Sequence, residues 1–314
     1  MQIFDEITTA RHLPFHNLIA AIEQTMIEGC TVPLRHIHAV DDGEGQQVGT
    51  LLLMPAWQGG KRLGVKTVSI FPGNRDHGFP GLHSVYVLYD ASTGKPLAIL
   101  DGDVITSRRT AAASALAARS LSRPDSRTLL IVGAGRVASL LADAYRAVRP
   151  IEKVLVWNIS ADSATKLVHR LRADGISAEH VRDLEAATQK ADIVSCATLA
   201  TQPLIHGTWL QPGTHLDLIG SFAPQMREAD ADCFRVASVF VDTNEALMKA
   251  GDILDAIASG AFEAAQVAAT LEDLCKSRHL GRASSDQITL YKGVGTALAD
   301  LAAASLAYDA ACAE

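Results

Sequence analysis

The sequence has few cysteines, no surplus of basic residues and no long apolar run, and each absence excludes a class of protein. Its five cysteines are scattered without a CxxC spacing, and an odd number cannot all pair internally, so we expect a reducing compartment and no metal. Lysine and arginine number 28 against 35 acidic residues, which leaves no basic surface for nucleic acid or anionic lipid. The N-terminus has neither a basic head nor an unbroken apolar core, and no run is long enough for a membrane span. These features predict a cytoplasmic globular protein.

A glycine turn within residues 127–138, RTLLIVGAGRVA, is the most informative stretch of the chain. Four apolar residues precede it without interruption, as in a strand buried on both faces of a parallel sheet. Gly133 and Gly135 permit a tight turn and a close approach of pyrophosphate, and Ala138 keeps the next helix close to the strand, in the pattern GxGxxA. Apolar residues at helical spacing follow from Arg136, so the first amides of that helix face a phosphate. Because a second strand follows in order, we predict a dinucleotide-binding site.

The first third of the chain predicts a helix followed by an antiparallel sheet. Amphipathic spacing indicates the helix over residues 15–30, and strand-forming runs separated by Asp-Gly, Gly-Gly and Pro-Gly follow it. The predicted strands cover residues 34–40, 50–57, 63–71, 84–89 and 97–100, with a hairpin turn at 90–96. After a turn at residues 101–103, Thr106 or Ser107 is expected to cap an alanine-rich helix over 108–121.

Strands and helices alternate in the rest of the chain, which is typical of a parallel sheet with helices on both faces. The predicted strands cover residues 154–157, 177–181, 192–197, 215–219 and 239–242, and the predicted helices cover 161–173 and 184–190. Residues 290–293 are expected to open a long helix over 294–311 that returns to the first domain. We therefore predict an α/β protein with a Rossmann-type doubly wound parallel sheet in residues 122–292. An α+β domain is predicted for residues 1–121 with 293–314.

Four motifs, in this order along residues 34–304, resemble the ornithine cyclodeaminase/mu-crystallin family: LGVKTVSIFPGN, TGKPLAILDGDVITSRRTAAASALAAR, the glycine turn and YKGVGTALADLAAA. The resemblance implies a homodimer in which the first domain, with the last helix, provides the substrate site and the dimer contact. It also implies that the Rossmann domain binds NAD(H) or NADP(H). Members include ornithine cyclodeaminases, alanine dehydrogenases and reductases of cyclic imino acids, so the resemblance leaves the reaction open.

The resemblance implies a cationic substrate site. Lys66 matches a lysine that contacts the substrate near its carboxylate and amine, and Arg109 matches an arginine that binds the carboxylate beside the cofactor, so both are candidate catalytic residues. A guanidinium suits a carboxylate because it donates two parallel hydrogen bonds. Arg35 matches a third cationic position, and Val294 resembles part of the family's final loop beneath the nicotinamide. The alternatives are a solvated strand-edge lysine and surface arginines.

Phe222 separates the possible reactions, because related cyclodeaminases and alanine dehydrogenases have a proton-shuttling aspartate in the run that reads IGSFAP here. Cyclodeamination needs a base throughout. Reduction of a cyclic ketimine needs only residues that orient the substrate against the nicotinamide and bind its carboxylate. Phe222 therefore favours an NAD(P)H-dependent reductase of a small cyclic imino acid, such as pyrroline-2-carboxylate or piperideine-2-carboxylate. The alternatives are ornithine cyclodeaminase and a crystallin-like, nucleotide-binding protein with little turnover. Phe222 as a core aromatic, with His83 as the proton donor, also remains open.

The second strand of the dinucleotide fold ends at Asn158, where an NAD site usually has an acidic residue. Asn158 has no charge to repel a 2′-phosphate, and Ser160 and Arg136 are candidate donors to that phosphate, so NADP(H) is favoured over NAD(H). The other candidate cofactor residues lie in the glycine turn, at the carboxyl ends of strands, or at positions implied by the resemblance: Ser84, Arg109, Gly133, Gly135, Val137, Thr198, Gly220, Ser221 and Gly293.

Overall fold

A computed structural model of the chain describes residues 1–314, apart from the side chain of residue 75. The chain divides into two compact units, Met1–Arg109 with Thr296–Glu314, and Thr110–Gly295. The domain boundaries predicted from the sequence lie after residues 121 and 292. Among the described residues, no helix combines the length and the apolar character that a bilayer crossing requires.

The first unit is built around a six-stranded sheet. Its elements are β1 Gln2–Phe4, α1 Glu6–Arg11, α2 Phe15–Glu28, β2 His36–Asp41, β3 Gln47–Gln58, β4 Arg62–Ile70, β5 Leu82–Asp90, β6 Pro96–Asp101, the start of α3 Gly102–Leu121, and α11 Ala297–Cys312, with a 3₁₀ turn over Pro72–His77. The strand order is β1-β6-β5-β4-β3-β2, and only the β1–β6 pair in it is parallel. Helix α11 packs against α2 and against β3, β4 and β5. The predicted helix, antiparallel strands and hairpin turn are confirmed, whereas β1 and α1 were not predicted.

Helix α3 begins earlier than the sequence analysis predicted. It starts at Gly102, directly after β6, so the predicted turn at residues 101–103 and the predicted cap at Thr106 or Ser107 are both wrong. The Asp101 side chain accepts a hydrogen bond from the backbone N–H of Val104 at 2.8 Å, and this bond satisfies an amide of the first helical turn. Arg109 therefore lies two turns into the helix and does not open it.

The second unit is built around an eight-stranded sheet. Its elements are β7 Thr128–Val132, α4 Ala138–Arg146, β8 Lys153–Trp157, α5 Ala161–Ala173, β9 Ala178–His180, α6 Leu184–Lys190, β10 Ile193–Cys196, β11 His215–Leu218, α7 Ala231–Val236, β12 Ser238–Val241, α8 Ala246–Lys249, α9 Gly251–Ala258, β13 Ala269–Thr270, α10 Leu271–Cys275 and β14 Thr289–Lys292, with 3₁₀ turns over Gly207–Trp209 and Ala264–Gln266. The strand order is β13-β12-β14-β11-β10-β7-β8-β9, and each neighbouring pair is parallel. The prediction of a Rossmann-type α/β fold is confirmed.

One element of the second unit corrects the sequence analysis. Residues 290–293 were expected to open the last helix, but residues Thr289–Lys292 form β14, in the interior of the sheet between β11 and β12. A short apolar run is ambiguous between strand and helix until its neighbours are known. Helix α11 begins only at Ala297, where the Thr296 side chain accepts from the backbone N–H of Leu298.

Candidate active site

The first unit contains a cluster of charged side chains, which we call the cationic cluster. It consists of Lys66 on β4, Arg109 on α3 and Asp300 on α11, which are buried, and Arg35 before β2, which is half-buried. The Lys66 Nζ lies 2.7 Å from the Asp300 Oδ2, and the Arg109 Nε donates to the Asp300 Oδ1 at 2.8 Å. Lys66 Nζ also donates to the Thr106 Oγ1 at 3.2 Å. One carboxylate therefore holds two cations that the sequence analysis assigned to the substrate site.

Strand periodicity explains why Lys66 is buried. Every second residue of β4 is buried, namely Gly64, Lys66 and Val68. These residues point to one face of the sheet, because side chains alternate along a strand. With only 2% of its surface exposed, Lys66 is not the solvated edge residue that was the alternative interpretation.

The electrostatics of the cationic cluster favour a bound anion. Burial lowers the pKa of Lys66 to about 8, with Asp300 opposing this shift and the charges of Arg109 and Arg35 adding to it. Burial by itself raises the pKa of Asp300, but Arg109 and Lys66 outweigh it and the pKa lies below its ordinary value. The buried Lys66 and Arg109 thus share one carboxylate, and an anionic ligand would reduce the positive charge that remains.

Asp300 is the member of the cluster that the sequence analysis missed. It is fully buried in the first turn of α11, a helix otherwise composed mostly of alanine and leucine. The signal that could have found it is a carboxylate in the apolar first half of a predicted helix, because a buried acid requires a charged or hydrogen-bonding partner. The identity of that partner depends on residues far away in the sequence.

Two further predicted residues of the first unit lie on opposite faces of the sheet. In the antiparallel pairing of β4 and β5, Tyr86 is opposite Lys66 and Ser84 is opposite Val68, so Ser84 shares the face of Lys66. The Ser84 hydroxyl donates to the Asp103 Oδ1 at 2.6 Å. His83 lies next to Ser84 in the strand, is exposed, and points to the other face. This orientation argues against His83 as a proton donor beside Lys66.

The glycine turn of the second unit fits a dinucleotide. Gly133 has φ of +120°, and a Cβ at this position would lie 2.6 Å from the Ala197 carbonyl oxygen, so a side chain is excluded there. A Cβ at Gly135 would meet no atom within 4 Å. This turn leaves open space in front of the first amides of α4, where a pyrophosphate binds in Rossmann folds. Arg136 and Val137 continue the turn, and the helix itself begins at Ala138.

A second group of buried charges lies at the carboxyl ends of β10, β11 and β14, and we call it the strand-end network. Glu228 Oε1 accepts from the backbone N–H and the hydroxyl of Thr198, at 2.6 and 2.8 Å. Glu228 Oε2 accepts from the backbone N–H of Gly220 at 2.6 Å. A Cβ at Gly220 would lie 2.0 Å from the Thr198 carbonyl oxygen, so only glycine fits. The two strand ends are therefore held together by one buried carboxylate.

Asp252 and Lys292 complete the strand-end network. Asp252 Oδ1 accepts from the backbone N–H groups of Glu228 and Ala229, at 2.7 and 3.1 Å. The Lys292 Nζ donates to the Leu218 carbonyl oxygen at 3.1 Å and lies 3.5 Å from the Asp252 Oδ2. Burial raises the pKa of Glu228 to about 7, with Lys292 opposing the shift and Asp252 adding to it. Backbone amides thus stabilise two carboxylates that share one lysine, and the sequence analysis missed these three residues.

Ser221 lies in the same network, but its hydroxyl has partners within the protein. Ser221 Oγ donates to the Met226 carbonyl oxygen at 2.7 Å and accepts from the backbone N–H of Asp252 at 3.0 Å. The only hydroxyl proton of Ser221 is therefore used within the protein, and its hydroxyl cannot donate to a cofactor in this arrangement. Phe222 follows with 49% of its surface exposed, so the interpretation of Phe222 as a core aromatic is wrong.

The loop after β14 is tied to the end of β12. Asp242 Oδ2 accepts from the backbone N–H groups of Val294 and Gly295, at 2.8 and 2.6 Å, and the Gly293 N–H donates to the Leu218 carbonyl oxygen at 3.2 Å. Val294 packs against the core of the second unit. The structure thus brings Lys66, Arg109 and Arg35 together in the first unit, while Val294 belongs to the second.

The residues after β8 carry no acidic group that would bind a ribose diol. Asn158 Nδ2 donates to the Ser160 carbonyl oxygen at 3.2 Å, and the Ser160 hydroxyl caps α5 by accepting from the Ser163 N–H at 3.3 Å. Ile159 is 90% exposed, and Arg136 of the glycine turn is also exposed. The loop is therefore uncharged, and it offers exposed side chains on which a nucleotide can bind.

Comparison with known proteins agrees with this geometry. Residues 20–314 match the ornithine cyclodeaminase/mu-crystallin family. A Delta(1)-pyrroline-2-carboxylate reductase from Paracoccus denitrificans is 43% identical over 286 residues, which are 90% of this chain and 89% of the relative.

Two solved structures resemble the whole chain. The Delta(1)-pyrroline-2-carboxylate reductase of Thermococcus litoralis, in complex with NADH and L-proline, has a TM-score of 0.92 and 33% identity, over 100% of this chain and 98% of that chain. An archaeal alanine dehydrogenase dimer with bound NAD has a TM-score of 0.91 and 28% identity, over 100% of this chain and 96% of that chain. Both neighbours therefore carry a nicotinamide cofactor on this fold.

Proposed function

Because this chain belongs to the ornithine cyclodeaminase/mu-crystallin family, we propose that it is an NAD(P)H-dependent reductase of small cyclic imino acids. Its substrates are of the pyrroline-2-carboxylate or piperideine-2-carboxylate type, and its products are the corresponding L-amino acids. The cationic cluster is the observation that carries this proposal, because a buried excess of positive charge suits a carboxylate ligand. The P. denitrificans relative and the T. litoralis neighbour both have names that place them in this class of reaction.

In this proposal Lys66 and Arg109 hold the substrate carboxylate, with Arg35 adding to the positive potential. A nicotinamide, when bound, supplies the hydride. The C=N carbon accepts it, the electron pair of the π bond moves to nitrogen, and a nitrogen already protonated by solvent becomes the amine. The protein then has to orient the imine and stabilise its carboxylate, and these tasks need no carboxylate at Phe222.

The second unit, which carries the glycine turn, is the cofactor-binding part of the proposal. NADP(H) is favoured over NAD(H), because Asn158 and Ile159 place no negative charge beside a 2′-phosphate. Contacts to the nucleotide are assigned to Gly133, Gly135, Arg136, Val137 and the strand ends at Thr198 and Gly220. Initial rates with NADPH and NADH at several concentrations give the two kcat/KM values, and a higher value for NADH would overturn this preference.

The proposal also includes a homodimer in a reducing cytoplasm. The archaeal alanine dehydrogenase neighbour, described as a dimer, supports the first part. The five cysteines, none of which forms a disulfide in the described structure, are compatible with the second. Sedimentation analysis of the purified chain should give twice the mass of 33.3 kDa, and a single-chain mass at micromolar concentration would contradict the dimer.

A panel of substrates tests the reaction itself. The purified protein is incubated with pyrroline-2-carboxylate, piperideine-2-carboxylate and linear 2-oxo acids plus ammonia, each with NADPH and NADH, and oxidation of the cofactor is followed by its absorbance. We expect the cyclic imino acids to give the highest kcat/KM. A parallel incubation with L-ornithine and NAD is assayed for ammonia and proline.

Each outcome of the panel identifies one activity. Oxidation of the cofactor with cyclic imino acids supports the reductase. Release of ammonia from ornithine without net consumption of cofactor indicates ornithine cyclodeaminase instead. Tight binding of NADPH with no turnover on the whole panel indicates a crystallin-like binding protein.

A further inference from the structure

Asp300 in the first unit contacts two cations, whereas a simple counter-ion needs to contact only one. Its two oxygens bind two different cations, the Lys66 ammonium at 2.7 Å and the Arg109 Nε at 2.8 Å. All three side chains are at least nine-tenths buried. Each contact fixes one cation relative to the other, because both end on the same planar carboxylate.

The contacts also determine which donors remain for a ligand. Lys66 has three N–H groups, and its Nζ forms an ion pair with Asp300 and donates one hydrogen bond to Thr106 Oγ1. Arg109 uses its Nε on Asp300, so its two terminal Nη groups form the edge that can bind a carboxylate through two parallel bonds. Asp300 thus selects the edge of Arg109 and the N–H of Lys66 that are presented to a ligand.

We propose that Asp300 is the positioning residue of the substrate site, which holds Lys66 and Arg109 in the one arrangement that binds the carboxylate of an imino acid. This inference rests on the proposed function. Asp300 does not contact the substrate. It acts through the two cations, and its charge keeps the Lys66 ammonium protonated beside Arg109 and Arg35.

The groups packed around Lys66 support this role. Thr106 and Arg109 face it from α3, Tyr86 lies opposite it on β5, Arg35 approaches from the segment before β2, and Asp300 comes from α11. Asp300 is the only carboxylate in this described set, and the two arginines favour loss of the Lys66 proton. Without the negative charge of Asp300, Lys66 would deprotonate at a lower pH.

The chain offers a matched control on the same helix. Asp309 also lies on α11 and also binds an arginine, with its Oδ1 2.7 Å from the Arg62 Nη2, but its side chain is 60% exposed. Asp300→Asn and Asp309→Asn each remove one negative charge from the same helix by the same chemical change. Only Asp300→Asn removes a negative charge from the cationic cluster.

Steady-state kinetics of these two variants test the proposal. In Asp300→Asn, we expect the KM for the cyclic imino acid to rise at least 30-fold and the Kd for NADPH to stay within twofold of the parent. The midpoint of the alkaline fall in kcat/KM should move down by at least one pH unit. Asp309→Asn should change none of these values by more than twofold. Unchanged KM and pH midpoint in a folded Asp300→Asn protein would overturn the proposal.

A double variant keeps the test informative if Asp300→Asn does not fold. Lys66→Met combined with Asp300→Asn removes opposite charges together, which a buried site tolerates better than the loss of one partner. In the Lys66→Met background Asp300 still contacts Arg109, so the double variant should have a KM at least threefold above that of Lys66→Met alone. A folded double variant whose KM equals that of Lys66→Met alone would show that Asp300 does not position Arg109 and would overturn the proposal.

Binding of L-proline, measured by calorimetry in the presence of NADP⁺, separates this inference from the proposed function. If the parent protein turns over no cyclic imino acid but binds L-proline, the reaction assignment fails and the Asp300 comparison is made on the Kd. If Asp300→Asn binds L-proline as tightly as the parent does, the inference fails, whatever the reaction.

Discussion

The two groups of charges in this protein differ in sign and in the partners that hold them. The cationic cluster of the first unit has three cations and one carboxylate, whereas the strand-end network of the second unit has two carboxylates and one lysine. In the strand-end network, backbone N–H groups donate to Glu228 and Asp252, and these bonds offset part of the cost of burying the two carboxylates. In the cationic cluster, the buried Lys66 and Arg109 share the single carboxylate of Asp300.

This difference supports our proposal that the cationic cluster binds a ligand and that the strand-end network holds loops in place. A buried charge is costly unless it is paired or hydrogen-bonded, so two buried cations that share one carboxylate favour binding of a further negative charge. A carboxylate that accepts several amide hydrogen bonds is already stabilised and fixes the loops that donate them. We therefore expect variants of the two groups to fail in different ways, in substrate binding for the first and in stability for the second.

The largest effect is expected for Arg109→Ala in the cationic cluster. Removing one partner leaves Asp300 and the substrate carboxylate without the guanidinium, so kcat/KM for the imino acid should fall by about 10³-fold, or roughly 4 kcal/mol. The control is Arg62→Ala, which removes a surface partner of Asp309 and should change kcat/KM by less than about threefold. If kcat/KM in Arg109→Ala fell by less than about tenfold, Arg109 would not be part of the substrate site.

The strand-end network should respond to Glu228→Gln with a loss of stability. The glutamine side chain would keep one oxygen acceptor, but its NH2 group would face the N–H donor of either Thr198 or Gly220. The free energy of unfolding should therefore fall by about 3 kcal/mol. Denaturant titration measures it. The control Glu179→Gln breaks an exposed ion pair with Lys153 and should cost less than about 0.5 kcal/mol. If Glu228→Gln kept its stability but lost nucleotide binding, the strand-end network would be a ligand site instead.

The pH dependence of the parent enzyme should follow Lys66. Its pKa is lowered to about 8, so the ammonium is present below that pH and is lost as the pH rises through it. Because we propose that the charged form binds the substrate carboxylate, kcat/KM should fall by about tenfold per pH unit well above the midpoint. A guanidinium does not titrate in this range, so Lys66→Arg should lack this midpoint even if its rate is lower. A profile that is the same in both proteins would assign the midpoint to another group.

The smallest effect is expected in the second unit, at the loop after β8. Asn158→Asp adds a negative charge near a 2′-phosphate, so the ratio of kcat/KM for NADPH to that for NADH should fall by about fivefold, or roughly 1 kcal/mol of screened repulsion. Asn158→Ala is the matched control, because it removes the amide and adds no charge. An unchanged ratio in Asn158→Asp would place the 2′-position away from this residue.

Local patterns accounted for most of the second unit. Helices α5 and α6 have the predicted bounds, because each begins with a side-chain cap and keeps one amphipathic spacing. Gly133 was predicted from the turn, and its positive φ agrees with that requirement. The predicted start of α3 is too late, because Asp101 can cap the helix only if β6 ends at that residue, and the local sequence does not show where β6 ends. β14 was read as helix, since only its two neighbouring strands distinguish it.

The sequence by itself determined the glycine turn and most of the alternation of strands and helices in the second unit, because strand alternation, helix caps and positive φ are set by a few neighbouring residues. The cationic substrate site was implied by the family resemblance. Tertiary structure alone decided that Asp300 meets Lys66 and Arg109, since the Arg109–Asp300 contact joins residues 191 positions apart. Tertiary structure also decided that Glu228 joins the ends of β10 and β11, through Thr198 and Gly220. Burial turns such long-range pairing into a strong interaction, because a charge removed from water gains most from the partner that the fold supplies.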